Sequence, residues 1–309
     1  TFGAFNICAT IPAPPPPPPT NNEPCSATPL TVGATCNYTT TTNVGLDASF
    51  FQGGLTLNVD IYKKKTTDLL VQNQAPSTEA AVTQPYVNVG DIQNNGIDIN
   101  LAKRGKLFGQ LDYEVSANFS KYKNKVLNIL DNPNAQLVGG ATRMGNATIT
   151  KEGMELSSFY GWKLDGFIDT QEELDQYNSA VTSTWLVPRI GGWKLKDVSG
   201  PNGEADGLIN DFDRVVLGTP HPDFQMGFNI SLGWKGFDFS TFIFWSQGGQ
   251  LVNQSRYNVD FNTYAFNRSA RMLYESWTPE NHDARLPMLN INDVSSAKYF
   301  TDYFVEDAT

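Results

Sequence analysis

Long runs in which apolar and polar residues alternate with a period of two constrain this chain more than any other feature. Val44, Leu46, Ala48 and Phe50 share one face of such a run, and Asn43, Gly45, Asp47 and Ser49 share the other. After Gln52-Gly53-Gly54 the pattern resumes with Leu55, Leu57, Val59 and Ile61 against Thr56, Asn58, Asp60 and Tyr62, which predicts a hairpin with one apolar face. A second hairpin is expected from Ile97, Ile99 and Leu101 through a turn at Lys103-Arg104-Gly105-Lys106 to Leu111, Tyr113, Val115, Ala117 and Phe119. The third is the most regular: Phe224, Met226, Phe228, Ile230, Leu232 and Trp234 lead to Lys235-Gly236, and Phe237, Phe239, Thr241, Ile243 and Trp245 return.

Soluble sandwiches alternate too, so period alone does not decide the class. These strands exceed the usual length of about five or six residues, their turns are short, and the segments between hairpins are long. Aromatic residues gather where strand meets turn, at Phe50, Phe51, Trp234 and Phe237. Hydrophobic residues make up 40% of the chain, with 19 Phe and 12 Tyr, yet mean hydropathy is −0.34. No run reaches the roughly 18 apolar residues of a membrane helix, whereas a barrel strand needs only about 9–11 residues, half of them apolar. The expected fold class is all-β: a partial antiparallel transmembrane β-barrel. The net charge of −10 excludes a nucleic-acid partner, because phosphate recognition needs clustered Lys and Arg. The one basic run, Lys63-Lys64-Lys65, reads as a solvated strand end.

The first forty-odd residues differ in texture. Residues 1–11 read as the end of a β module, 12–22 as a Pro-rich linker in polyproline II, 23–42 as the start of a small extracellular β module, and 43–309 as barrel. Cys8, Cys25 and Cys36 all lie in this leading part, and a Cys25–Cys36 disulfide would suit an extracytoplasmic compartment. Residues 23–40 resemble repeats of secreted and cell-surface Bacteroidetes proteins. The two ends read as those of a fragment, and the join at Thr42-Asn43 reads as a chimeric gene or an assembly artefact rather than a genuine fusion.

Five blocks resemble the SusC/RagA group of TonB-dependent outer-membrane transporters, in that family's order. They are Asn43-Val44-Gly45-Leu46-Asp47 through Tyr62 to Leu70; Asn95-Gly96-Ile97-Asp98-Ile99; Ser158 to Phe167 with Gln171-Glu172-Glu173-Leu174; Asp206-Gly207-Leu208-Ile209 through Asp213 to Gly218 and Pro220 to Phe224; and Trp277-Thr278-Pro279-Glu280-Asn281. Tyr303 to Asp307 is similar to the approach to a late strand. The resemblance implies a barrel of about 22 strands around a plug, located in the outer membrane. It further implies energy from a TonB complex, a SusD-like surface lipoprotein as lid, membrane lipid around the wall and a glycan or peptide as substrate. Neither a plug, a TonB-contacting segment nor the last strands of such a barrel is recognisable in these residues. A secreted adhesin or structural β protein is the alternative, separated by whether the protein needs detergent; a secreted polysaccharide-active enzyme is a further rival.

Among chemistry-bearing motifs, the acidic loop 202–213 stands out. Asn202, Glu204 and Asp206 occupy positions 1, 3 and 5 of an EF-hand-like register, Gly207 the turn position, the Leu208 carbonyl position 7 and Asp213 position 12. Asn at position 1 and Glu at position 3 depart from the pattern, and Asp197 is a substitute ligand. A structural Ca2+ is the expectation weighed against a simple acidic turn; no other cofactor is required. For catalysis no residues are expected: His221 and His282 lie in turn-like contexts without a nucleophile motif, and Glu172-Glu173 reads as a solvated helix start. Tyr160, Trp162, Trp185 and Trp193 are candidate sugar-stacking faces, set against loop-core packing.

Overall fold

The structure, a computed structural model, describes residues 5–10, 38–72, 86–130, 132, 134–261, 267–290 and 299–309. The Pro-rich linker, Cys25, Cys36 and most of the 23–42 module lie outside the described residues. The alternating runs become long antiparallel strands: β1 (Phe5–Thr10), β2 (Tyr38–Phe50), β3 (Leu55–Gln72), β4 (Tyr86–Leu107) and β5 (Leu111–Ile129). Each pairs with the next in sequence, as expected of successive hairpins, with short turns only between β2 and β3 and between β4 and β5. Register places Val44 against Ile61, Leu46 against Val59 and Ala48 against Leu57, so the apolar residues of the first hairpin share one face as the alternation required.

Two boundaries differ from the sequence expectation. β2 begins at Tyr38 and runs without a break across Thr42 and Asn43, pairing Tyr38 with Thr67 and Thr42 with Lys63. Lys63, Lys64 and Lys65 accordingly lie inside β3 rather than beyond its end. The turn expected at 103–106 is a correction: β4 continues to Leu107, and the chain reverses at Phe108-Gly109-Gln110, where Phe108 and Gly109 have φ of 52° and 69°. The charges that suggested a turn are instead partnered across the ladder, Arg104 opposite Glu114 and Lys106 opposite Asp112, with Lys106 Nζ 3.2 Å from Asp112 Oδ1. Gly105 is there for space, since a Cβ would lie 3.0 Å from the Tyr113 hydroxyl.

After β5 the chain leaves the sheet and folds a layer of its own. Strands β6 (Gln136–Thr142), β7 (Gly145–Lys151), β8 (Ser158–Gly161), β9 (Leu164–Phe167), β10 (Trp193–Leu195) and β11 (Val215–Gly218) are short. They form a four-stranded sheet, β11-β8-β7-β6, and a β10-β9 pair. Helix α1 (Gln171–Ala180) starts where Thr170 Oγ1 accepts from Glu173 N at 3.1 Å and Asp169 N donates to Glu173 Oε2 at 2.8 Å. Glu172 and Glu173 are thus a helix start, with acidic residues at the positive end of the helix dipole, as expected of that pair.

The chain then returns to the wall. β12 (Pro222–Trp234) pairs with β5 and, through Lys235-Gly236, with β13 (Phe237–Gly248), giving a seven-stranded sheet in the order β1-β2-β3-β4-β5-β12-β13. No sheet among the described residues closes on itself; β1 and β13 are the edges. A second excursion carries β14 (Gln250–Val252), α2 (Ser255–Val259), α3 (Arg271–Tyr274) and β15 (Val305–Asp307), with β14 and β15 paired antiparallel.

Both excursions share one core. Phe159, Trp162, Ile168, Trp193 and Leu195 from the first pack with Phe261, Phe300 and Phe304 from the second. Phe300 and Phe304 are completely buried. The backbone joins them too: Trp162 N donates to Phe300 O at 3.0 Å and Asp302 N to Trp162 O at 3.2 Å. The result is a folded cap at the end of the wall opposite the short turns. It is stitched to β5 by Val126 N to Met154 O and Gly153 N to Val126 O, each 2.9 Å.

Candidate functional site

The wall is the first candidate, because its two faces are chemically opposite. On one face the cross-strand rows are apolar: Ile99 beside Phe119, Phe119 beside Met226, and Met226 beside Trp245. Among the described residues no second layer covers this face; Ile61, Ile243 and Phe239 remain 57%, 54% and 58% exposed. An uncovered apolar face of this extent is untenable in water and is the normal outer face of a membrane barrel. At the short-turn rim Phe51, Phe108, Trp234 and Phe237 stand out into the surroundings.

The other face is a polar lattice. Asp47, Asn58, Asp60, Asp98, Asn100, Asn118 and Ser120 lie on it, linked by Asn43 Nδ2 to Asp60 Oδ1 at 3.0 Å and Ser120 Oγ to Asp98 Oδ1 at 2.6 Å. Asp60 sits directly opposite Asp98, a like-charge pair that a lattice of amide and hydroxyl donors makes tolerable and that a dry core would not. Gly45 lets Asp60 lie across it, since a Cβ there would fall 2.7 Å from the Asp60 carboxylate. Phe242 and Phe244 interrupt the lattice on the edge strand β13, both well exposed.

The cap carries the residues singled out in the sequence. In the acidic loop Asp213 is fully buried. Its Oδ1 accepts from Val198 N at 2.8 Å and Ser199 N at 3.2 Å, and its Oδ2 from Asn210 N at 2.9 Å. Asp206 Oδ1 accepts from Leu208 N at 3.0 Å, Asp197 Oδ2 from Gly207 N at 2.6 Å, and the Glu204 carbonyl from Gly200 N at 2.7 Å. Of the expected ligand set Asn202, Glu204, Asp206, the Leu208 carbonyl and Asp213, the Asp206 and Asp213 carboxylates accept from peptide N–H groups of residues 198–210. Among the described residues no group of three or more Asp, Glu, His or Cys side chains is arranged to hold a metal ion.

The aromatic candidates fall into two clusters. Trp162 packs on Trp185 with ring centres 4.8 Å apart, Trp185 on Tyr299 at 5.4 Å, and the Arg214 guanidinium lies 4.5 Å from the Tyr160 ring centre and 4.8 Å from that of Trp162. Burial pushes the Arg214 guanidinium down from its usual value, and its Nη2 is held by Asn146 O at 2.7 Å and Tyr160 O at 3.1 Å. Trp193 lies elsewhere, buried against Tyr303 and Phe261. Trp162 and Trp193 serve the core of the cap, whereas Tyr160 and Trp185 remain half-buried.

Both histidines are ties. His221 Nδ1 meets Tyr122 Oη and its Nε2 meets Leu156 O, each at 3.2 Å, joining cap to wall. His282 Nδ1 lies 3.1 Å from Asp169 Oδ1, which also accepts from Trp277 Nε1 at 2.7 Å. The hydrogen bond to Asp169 pushes His282 up; Asp169 is pulled upward by burial but held below its usual value by the bonds from His282 and Trp277. The sequence reading missed a buried ionic network: Arg256 bonds to Glu306 and to Tyr303 O, and Tyr303 Oη donates to Asp260 Oδ2 at 2.7 Å. Only the density of aromatics around Tyr257, Phe261 and Tyr299 to Phe304 signalled a core in that part of the sequence.

A sheet apolar without and polar within, with short turns at one rim and a folded cap at the other, defines a transmembrane β-barrel wall. The chain belongs to the TonB-dependent receptor-like β-barrel family, whose profile matches residues 38–202, more than half of its length. It is 30% identical over 276 residues to TonB-dependent receptor P26 of Formosa agariphila, covering 88% of this chain and 26% of that protein. It is 25% identical over 277 residues to TonB-dependent receptor SusC of Bacteroides thetaiotaomicron, covering 88% of this chain and 24% of that one. The solved RagAB peptide transporter shares the fold with a TM-score of 0.65 at 20% identity, over 88% of this chain and 27% of that one. The chain thus spans about a quarter of the relatives it matches, and the SusC/RagA resemblance of its five blocks is borne out.

Proposed function

We propose that this chain forms part of the wall and the outer cap of an outer-membrane importer of oligosaccharides or peptides, energised through TonB and closed outside by a SusD-like lipoprotein. The observation that carries the reading is the uncovered apolar face backed by the Asp60–Asp98 polar lattice, which suits a wall between lipid and an aqueous lumen. Phe242 and Phe244 would then face the lumen, where a plug supplies them with cover. Tyr160 and Trp185 are the aromatic faces that this reading offers to a substrate at the cap, with Trp162 and Trp193 as their support. A Ca2+ bound by the 202–213 loop would be structural and would have to compete with the peptide N–H groups that already occupy Asp206 and Asp213.

The test is made on the intact gene product. It should fractionate with the outer membrane and migrate differently in heated and unheated samples. A deletion strain should lose uptake of a glycan or a peptide series that an uncoupler of the inner-membrane proton gradient also abolishes, and a surface lipoprotein should copurify. A protein soluble and monodisperse without detergent would overturn the reading in favour of an adhesin.

A further inference from the structure

On the polar face of the wall, midway along β3 between Leu55 at the short turn and Gln72 at the far end, an aromatic ring is seated on a glycine. Tyr62 stands directly opposite Gly96, and a Cβ on Gly96 would run into the Tyr62 ring. Gly96 does not have a positive φ, so the glycine is there to seat the ring rather than to bend the chain. Tyr122, across Gly96 on β5, turns its hydroxyl to His221 Nδ1 at 3.2 Å and leaves the space over Gly96 to Tyr62.

The groups around this ring are hydrogen-bonding ones. One row toward the turn, Asp60 and Asp98 face each other. Each carboxylate is engaged through Oδ1, by Asn43 and Ser120 respectively, which leaves both Oδ2 atoms without a hydrogen bond among the described residues. The Tyr62 hydroxyl has none there either. One row toward the cap, Lys64 Nζ lies 4.8 Å from the Tyr62 ring centre. Two residues along a strand span about 6.6 Å, so these groups border the ring at the reach of the hydroxyls of a single pyranose.

We propose that Tyr62, on its Gly96 seat, is a stacking platform for a neutral hexopyranose unit of an oligosaccharide in the lumen. Hydroxyls of the sugar donate to Asp60 Oδ2 and Asp98 Oδ2, and Lys64 and the Tyr62 hydroxyl donate to its oxygens. The inference rests on the reading that the polar face lines the lumen of an importer, and it narrows the cargo of that reading to a glycan. A peptide held through its backbone needs a free strand edge, and β3 and β4 are paired on both sides at this level. A peptide held through apolar side chains needs apolar pockets, whereas the neighbours of Tyr62 on this face are Asn43, Asp60, Lys64, Gly96 and Asp98. The C–H face of a sugar matches an aromatic ring, and its hydroxyls match carboxylate oxygens with acceptor capacity to spare. Two carboxylates against one ammonium disfavour a uronic or sulfated unit.

The experiment is isothermal titration calorimetry of the intact gene product in mild detergent with neutral hexasaccharides of glucose, mannose and galactose and, separately, with hexagalacturonate and a mixture of unstructured hexapeptides. A neutral hexasaccharide should bind, and the galacturonate and peptides should not. Tyr62→Ala should weaken that binding about tenfold by removing the stacking face. Gly96→Ala should weaken it about tenfold with Tyr62 still present, because the added methyl unseats the ring. Tyr62→Phe should cost only about threefold, the worth of one hydroxyl. All three should keep the heat-modifiable migration of wild type, and Phe51→Ala, at the short turn, should bind as wild type does. Equal affinity in wild type, Y62A and G96A overturns the proposal. So does binding of the peptides, binding of nothing in the panel, or a photo-crosslinker at position 62 that captures another segment of the gene product while the sugar is bound. A detergent-dependent outer-membrane barrel that takes up only peptides overturns the platform alone, whereas solubility without detergent overturns the importer reading with it.

Discussion

Asp213 shows how one side chain can organise a loop. Three peptide N–H groups converge on its buried carboxylate, so truncation leaves three donors facing a cavity with no acceptor. Asp213→Ala is expected to destabilise the cap by about 3 kcal/mol, with urea unfolding of the cap as the measurement. The Asp169–His282 tie predicts a pH window. His282 is raised above its ordinary 6.5, so its contribution is complete below that value and is lost as pH rises through the folded value. Asp169 is lowered below its ordinary 3.8, so its contribution is complete above that value and is lost only in stronger acid. Protection of the Ser276–Leu286 amides from exchange, relative to the intrinsic rate at each pH, should therefore be greatest between about pH 4 and pH 6, and His282→Ala should flatten that dependence above the window.

At the scale of the element, the wall strands predict an asymmetry between neighbouring residues. Phe228 and Asn229 are adjacent in β12 but face lipid and lumen respectively. Phe228→Lys should cost about 2–4 kcal/mol in folding into lipid vesicles while Asn229→Lys costs little, as read from urea titration of the heat-modifiable band. This asymmetry is legible in the sequence because period-two alternation is a local property: the pairs Phe228–Ile243 and Leu46–Val59 follow from residue order and the position of the intervening turn. The turn at Phe108 is not legible in that way, because Arg104, Gly105 and Lys106 carry turn-like residue types whose partners, Glu114, Tyr113 and Asp112, are found only across the ladder. The hydrogen bonding of the acidic loop is not legible for a related reason. EF-hand spacing fixes which residues are available, but their carboxylates meet peptide N–H groups that spacing does not reveal. Trp162 and Trp193 are legible as aromatic, though which face each shows depends on Phe300 and Phe304, distant in sequence.

For the whole molecule, the cap and the wall obey different solvents. The wall hides its apolar face in lipid and needs no hydrophobic core, whereas the cap is built as a water-soluble domain around Phe300 and Phe304. Phe300→Ala should cost the cap about 3–5 kcal/mol while leaving the heat-modifiable migration of the wall unchanged, checked by limited proteolysis beside gel mobility. The family match covers residues 38–202, yet the shared core of the cap extends to Phe304, beyond the matched residues.

The meeting of Trp162 with Phe300 sets the order of events during biogenesis. The two halves of the cap core are separated by an entire hairpin of the wall, so the first excursion has no finished interior when it is made. It must wait, with Trp162 and Trp193 open to water, until β12 and β13 have followed and the Phe300 segment arrives. Contacts of such long sequence separation form late. Among the described residues the core of the cap is therefore expected to close after β12 and β13 have formed, and the interval before it closes is when its apolar residues are most open to aggregation.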